Sequence, residues 1–179
     1  IVTKALQDFA DSQGLYYPVD FASAGSSQLG GNIGTNAGGI KVIKYGMTRN
    51  WILGLTVVTG KGDILHVNKG MIKNATGYDL RHLFIGAEGT LGIVTEVQVK
   101  LERQPKNLTV MVLGVPEFTN SMQILSAFQS KMDLTAFEFF DDVAVDKLLA
   151  TGHVQKPFET DAPFYALLEF EAPYEPIMD

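Results

Sequence analysis

Residues 30–39 read GGNIGTNAGG, five glycines and two asparagines in ten positions, and no other stretch of the 179-residue chain limits its fold so tightly. Glycine lets the backbone visit positive φ. It also lets another group approach consecutive N–H groups, which then form an anion-binding concavity. Asn32 and Asn36 add amide donors and acceptors, Thr35 adds a hydroxyl, and the small side chains leave room for a flat ring. Two readings fit the tract alone: a tight structural crossing of loops, or a loop that holds a pyrophosphate, nucleotide or flavin. A second cluster, Gly86-Ala-Glu-Gly-Thr-Leu-Gly92, could bring further backbone N–H groups and a carboxylate to the same ligand.

Around the tract the pattern is α+β. Val2, Leu6, Phe9 and Ala10 recur at helical spacing and end at Gly14, while no period survives from Asp20 to Gly39, which is predicted as loop. Trp51–Thr59 and Ile64–Val67, separated by Gly60-Lys-Gly-Asp63, read as a hairpin. One or two helical turns are expected over 78–85, and a half-exposed strand follows, with Val97, Val99 and Leu101 alternating against polar neighbours. Gln104-Pro105-Lys-Asn107 marks a boundary, which gives two domains, 1–106 and 107–179. Strands at 108–115, 136–140 and 164–171 alternate with helices at 117–132 and 141–150 in the second, the order of an α+β or split-βαβ sheet with helices on one face.

Composition removes several classes of function. The formal net charge is -6, and no Lys or Arg adjoins another, which argues against a nucleic-acid footprint or a polybasic membrane anchor. Nearly half the residues are hydrophobic, so a buried core is expected, and with no cysteine any redox chemistry must come from a cofactor. The most apolar run, 51–58, is far shorter than the roughly 20 residues a spanning helix needs. Neither G-x-G-x-x-G after a strand nor G-x-x-x-x-G-K-[ST] occurs, and H-E-x-x-H and G-x-S-x-G are absent. His66, His82 and His153 stand apart from other ligand-type residues and receive no catalytic role. The pair Asp141-Asp142 is expected to cap a helix. A chain that begins Ile1-Val2-Thr3 is expected to be a piece of a longer one.

Four segments in order carry a resemblance: Gly30–Gly39, then Lys44-Tyr-Gly46, then Lys73-Asn-Ala-Thr-Gly-Tyr-Asp-Leu80, then Leu83-Phe-Ile-Gly-Ala-Glu-Gly-Thr-Leu-Gly-Ile-Val-Thr95. They resemble the FAD-dependent oxidases and dehydrogenases of the vanillyl-alcohol-oxidase type, whose FAD-binding domain is called PCMH-type, and especially their D-2-hydroxyacid dehydrogenase branch. Thr135-Ala-Phe-Glu-Phe-Phe-Asp141 is similar to the opening of that family's substrate-side cap domain. The resemblance implies a second FAD-binding subdomain over 1–106 and the start of a ferredoxin-like α+β cap over 107–179. It implies that Gly30, Gly31, Asn32, Thr35, Asn36, Ala37, Gly38 and Gly39 line the flavin and its pyrophosphate. Glu88, Gly89, Thr90, Gly92, Ile93 and Val94 would lie against the ribityl-adenosine part, and Asp79 would cap the short helix that positions Glu88.

The activity so implied is oxidation of a D-2-hydroxyacid, D-lactate or D-2-hydroxyglutarate, to the 2-oxoacid by hydride transfer to FAD, with a separate electron acceptor. No catalytic residue and no metal ligand is expected within this chain. A divalent metal, where the whole enzyme carries one, belongs elsewhere. The expected setting is cytoplasmic, compatible with peripheral membrane association and with a homodimer. A non-catalytic flavin-binding scaffold, or a flavin oxidase acting on alcohols, sugars or lactones, remains an alternative.

Overall fold

The structure, a computed structural model, describes residues 1–156 and 158–172; residue 157 and residues 173–179, which fall in the second predicted domain, lie outside the described residues. Helix α1 (Thr3–Ser12) turns Thr3, Leu6 and Ala10 inward, and Gly14, at φ +69°, lets the chain leave it. Phe9 shares the helical spacing but stays 61% exposed. Strand β1 (Leu15–Tyr16) follows.

The glycine tract corrects the loop expectation. Leu29–Thr35 form a helix, α2, with Leu29, Asn32 and Ile33 buried one turn apart. Each glycine in a helix costs about 1 kcal/mol relative to alanine, so local propensity opposes this element. Tertiary bonds override it: the Leu29 N–H donates to Ile1 O (2.9 Å), and buried Asn32 Nδ2 donates to Thr3 Oγ1 (2.6 Å). Asn36, in the left-handed region at φ 49°, ends the helix.

Helix α3 (Val42–Tyr45) and a 3₁₀ turn (Thr48–Trp51) lead into β2 (Ile52–Val58), which turns back as β3 (Ile64–Val67). The predicted hairpin is therefore present, closed by the Thr59 N–H donating to Asp63 O at 2.9 Å. Helix α4 (Arg81–Phe84) precedes β4 (Ile93–Val99), which begins four residues before the predicted strand and is followed by β5 (Glu102–Arg103). The sheet order is β3-β2-β4, all antiparallel, while β1 pairs separately with β5. Between Thr56 and Val57 the β2–β4 register shifts, with Glu96 opposite Thr56 and Val94 opposite Val57. The unpaired residue, Thr95, is a bulge that sets Val94 and Val97 both against the core formed by Leu29, Ile33, Leu55 and Val57.

The chain divides into two compact units, Ile1–Gln104 and one that begins at Pro105. In the second, β6 (Leu108–Val115), α5 (Phe118–Gln129), β7 (Leu134–Asp141), α6 (Asp142–Ala150) and β8 (Phe164–Glu171) follow in sequence. The last strand takes the centre, in the order β6-β8-β7 with both pairs antiparallel, so β6 and β7 run parallel on either side of it. That is a split βαβ arrangement. Ala166, Leu168 and Phe170 of β8 pack with Val115 and Leu134, and Ile124, Leu125 and Phe128 of α5 cover them. Asp141 caps α6 as expected, its Oδ1 accepting the Ala144 N–H at 2.8 Å.

Leu168 has no exposed surface and touches both flanking strands. Leu168→Ala is expected to lower stability by about 2–5 kcal/mol, read as a drop in urea midpoint at unchanged slope.

Candidate functional site

The two glycine-rich segments, some fifty residues apart, meet at the end of α2. The second segment bonds its last carbonyls: the Gly86 N–H donates to Ile33 O, which also accepts the Asn36 N–H at 3.1 Å, and the Glu88 N–H donates to Gly34 O, both bonds from the second segment being 2.9 Å. Positive φ at Gly86 (87°), Glu88 (50°) and Gly89 (79°) turns the segment so that its N–H groups face the helix. The Asn36 side chain adds a third tie, Oδ1 accepting the Arg49 N–H at 3.0 Å, and Arg49 Nη2 makes a long bond to Ile85 O at 3.4 Å.

The expected site residues divide by environment. Gly30 and Gly31 are exposed, with no atom within 4 Å of where a Cβ would stand, so nothing in this chain requires them to be glycine. Thr35 is exposed and returns its hydroxyl to Gly31 O (3.1 Å). Ala37 O is held by Thr48 through both N–H (3.0 Å) and Oγ1 (2.7 Å), which fixes the chain entering Gly38. Asn32 is turned inward, with its amide nitrogen committed to Thr3. At Gly39 a Cβ would lie 1.9 Å from Asp20 O, and at Gly92 it would lie 2.7 Å from Val58 O. Those two glycines permit backbone crossings, the structural alternative that the tract alone left open. In the second segment Glu88, Gly89 and Ile93 are exposed, Thr90 bonds back to Ala87 O (2.6 Å), and Val94 is half-buried.

Gly30 and Val94 share a cleft of about 200 Å³ between α2 and β4, whose lining also includes Ile1, Gln28, Ile33, Thr95 and Glu96. It is open on the Gly30 side and apolar at Ile33 and Val94, a shape that admits one part of a flat, polar-edged ligand between bare backbone and a β-branched wall. FAD fits this chemistry: exposed backbone for its polar parts and an apolar surface for a ring. Thr95 lines this cleft, and Arg49 stands beside Gly86 of the second cluster, although the sequence selected neither Thr95 nor Arg49. One signal for Arg49 is in the sequence: residues 21–62 contain Lys41, Lys44, Arg49 and Lys61 but no Asp or Glu, in a chain of net charge -6.

Asp79 lies one residue before the helix cap. Its Oδ1 accepts the Arg81 N–H (3.2 Å) and Nε–H (2.8 Å), and Arg81 Nη1 donates to Ile52 O (2.5 Å), so the pair fastens α4 to the start of β2. The Arg81 hydrogen bond holds the Asp79 carboxyl below its usual range. Burial without a partner pushes the Tyr17 hydroxyl far up, so it stays neutral at any ordinary pH. On the outer face of the sheet, His66, Thr56 and Glu96 stand in a row across three strands, the Thr56 hydroxyl donating to Glu96 at 2.8 Å. Among the described residues, no three His, Cys, Asp or Glu side chains gather in a metal-binding group, and no helix is long and apolar enough to cross a membrane.

Comparison with known proteins gives consistent matches along the chain. Residues 1–68 match the family described as FAD binding domain, and residues 104–177 match the one described as FAD linked oxidases, C-terminal domain. A D-2-hydroxyglutarate dehydrogenase of Stutzerimonas stutzeri (strain A1501) is 71% identical over 175 residues, which are 98% of this chain and 38% of that protein. One from Xanthomonas citri pv. viticola is 52% identical over 94% of this chain and 36% of its own length. The chain thus spans less than two fifths of these relatives. An alkyldihydroxyacetonephosphate synthase structure superposes with a TM-score of 0.74 at 23% identity, over 97% of this chain and 35% of that one, which shows a shared fold.

Two outcomes are expected. Gly39→Ala forces a Cβ onto Asp20 O and should cost about 3 kcal/mol or more, measured by thermal or urea denaturation. For Asp79, a depressed folded-state pKa means that its contribution is present above the ordinary value of 3.8 and lost as pH falls through the folded pKa. Asp79→Asn should therefore be less stable than wild type at about pH 7, and the gap should narrow toward about pH 3 when urea midpoints are compared.

Proposed function

The chain belongs to the FAD-linked oxidases, and from that premise we propose that it is the flavin-binding portion of a D-2-hydroxyacid dehydrogenase. Residues 1–106 are then the second FAD-binding subdomain, and residues 107–179 open the substrate-side cap. The substrate is a D-2-hydroxyacid, with D-2-hydroxyglutarate first because the relatives at 71% and 52% identity carry that name, and D-lactate second. The oxidised product is the corresponding 2-oxoacid. A separate electron acceptor, a cytoplasmic setting and a homodimeric assembly complete the proposal.

One observation carries this reading. Gly30 and Gly31 expose bare backbone that no packing in the chain requires, and Gly30 opens onto the cleft whose other wall is Val94. In a helix opposed by its own glycines, such positions are kept for what approaches them. Gly30, Gly31, Thr35, Asn36, Ala37 and Gly38 would hold the cofactor on one side, and Glu88, Gly89, Thr90, Ile93 and Val94 on the other. Bound FAD supplies the hydride acceptor. The chain's own part is placement: backbone donors orient the cofactor, and Ile33 and Val94 keep water from the apolar wall. Asn32, Gly39 and Gly92 act one step away by holding the segments in place.

The test uses the full-length protein that contains this chain. It should purify yellow or bind one FAD on reconstitution, and D-2-hydroxyglutarate added without oxygen should bleach the flavin band while the L-enantiomer does not. Protein that takes up no flavin, or flavin that no D-2-hydroxyacid reduces, would overturn the proposal.

A further inference from the structure

Arg49 sits at the junction of the two glycine-rich segments, and its position has no structural explanation in full. Its main chain is fixed: the N–H donates to Asn36 Oδ1 at 3.0 Å, and the preceding Thr48 is bound twice to Ala37 O, through N–H at 3.0 Å and Oγ1 at 2.7 Å. Its guanidinium reaches across to Ile85 O, with Nη2 at 3.4 Å. A guanidinium carries five N–H donors, so this one long bond leaves most of them unused. Among the described residues no carboxylate pairs with Arg49, although the side chain is half-buried. A partly desolvated cation with neither counter-ion nor full hydration is unfavourable unless an anion completes it.

Gly86 borders it directly. Gly86, at φ 87°, has no side chain, and a Cβ there would stand 3.5 Å from Asn36 Cβ and 3.7 Å from Arg49 Nη2. Asn36 has spent its oxygen on the Arg49 N–H, while its amide nitrogen has only the Met47 sulfur at 3.7 Å. Asn36 and Arg49, both next to Gly86, therefore carry unspent donors on their side chains. The surrounding segment, 21–62, contains four basic residues and no acid.

We propose that Arg49 is the fixed cation of the flavin site and holds pyrophosphate oxygens of the dinucleotide through its guanidinium fork. A planar fork suits two oxygens of one phosphate, which a lysine ammonium meets only as a point charge. Arg49 thus adds a charge-based grip to a site otherwise made of backbone and amides. This inference rests on the flavin reading above.

Its test compares Arg49→Gln, which is neutral, and Arg49→Lys, which keeps the charge without the fork, in the full-length apoprotein. FAD and riboflavin, which lacks phosphate, are titrated by fluorescence quenching at several salt concentrations. Arg49→Gln should weaken FAD about 10–100-fold, leave riboflavin within about twofold, and flatten the salt dependence of FAD binding, with the apoprotein melting temperature unchanged. Arg49→Lys should fall between. Unchanged FAD affinity in Arg49→Gln, equal losses of FAD and riboflavin, or a loss confined to apoprotein stability would overturn the assignment to Arg49. Wild-type protein that binds no FAD would overturn the flavin reading itself.

Discussion

Two backbone hydrogen bonds hold the candidate site together: Gly86 N–H to Ile33 O and Glu88 N–H to Gly34 O. The last turn of a seven-residue helix leaves Gly34 O to be met from outside the helix, and a buried unsatisfied carbonyl costs about 1–3 kcal/mol. The second glycine-rich segment meets that need only by turning through positive φ, at Gly86 without strain and at Glu88 with some. The same turn leads into β4, whose Val94 lines the cleft beside Gly30 of α2. Satisfying a helix end and assembling a cleft are thus one event.

The glycines of the tract serve different physical ends. Gly39 is required because Asp20 O occupies the space of a side chain, and Gly92 is required by Val57 and Val58. Gly30 and Gly31 meet no such neighbour, yet they weaken the helix they belong to. The helix survives through Leu29, Ile33 and the buried Asn32–Thr3 bond, which draw their strength from α1 and the sheet. Stability is therefore supplied from one face of α2, while the other leaves the backbone of Gly30 and Gly31 exposed. Gly86, at positive φ, turns the chain next to Asn36 and Arg49.

Charge follows the same division. The protein is acidic as a whole, but the segment that contains the glycine tract is basic throughout. An anionic ligand meets no repelling carboxylate on this segment, and the partly desolvated Arg49 interacts with it more strongly than an exposed cation would. The second unit is built by a separate logic, with β8 inserted between β6 and β7 and its alternate residues, Ala166, Leu168 and Phe170, forming the sheet's buried face.

Local order was legible in the residues wherever one period or one turn decided it. The Gly60-Lys-Gly-Asp63 turn between β-branched runs, helix α1 with Leu6 and Ala10 inward, the Asp141 cap and the alternation of β6, α5, β7, α6 and β8 all appear where the pattern puts them. The two glycine-rich segments, read as facing one ligand, do meet through backbone hydrogen bonds. Tertiary structure alone decided that 29–35 coil into a helix, because its propensity is overruled by bonds to Ile1 and Thr3. It alone decided which glycines are packed and which are bare, that Asn32 faces inward, and that Arg49 stands beside Gly86. Each of those outcomes depends on atoms thirteen or more residues apart in the chain, whose proximity a local pattern does not encode.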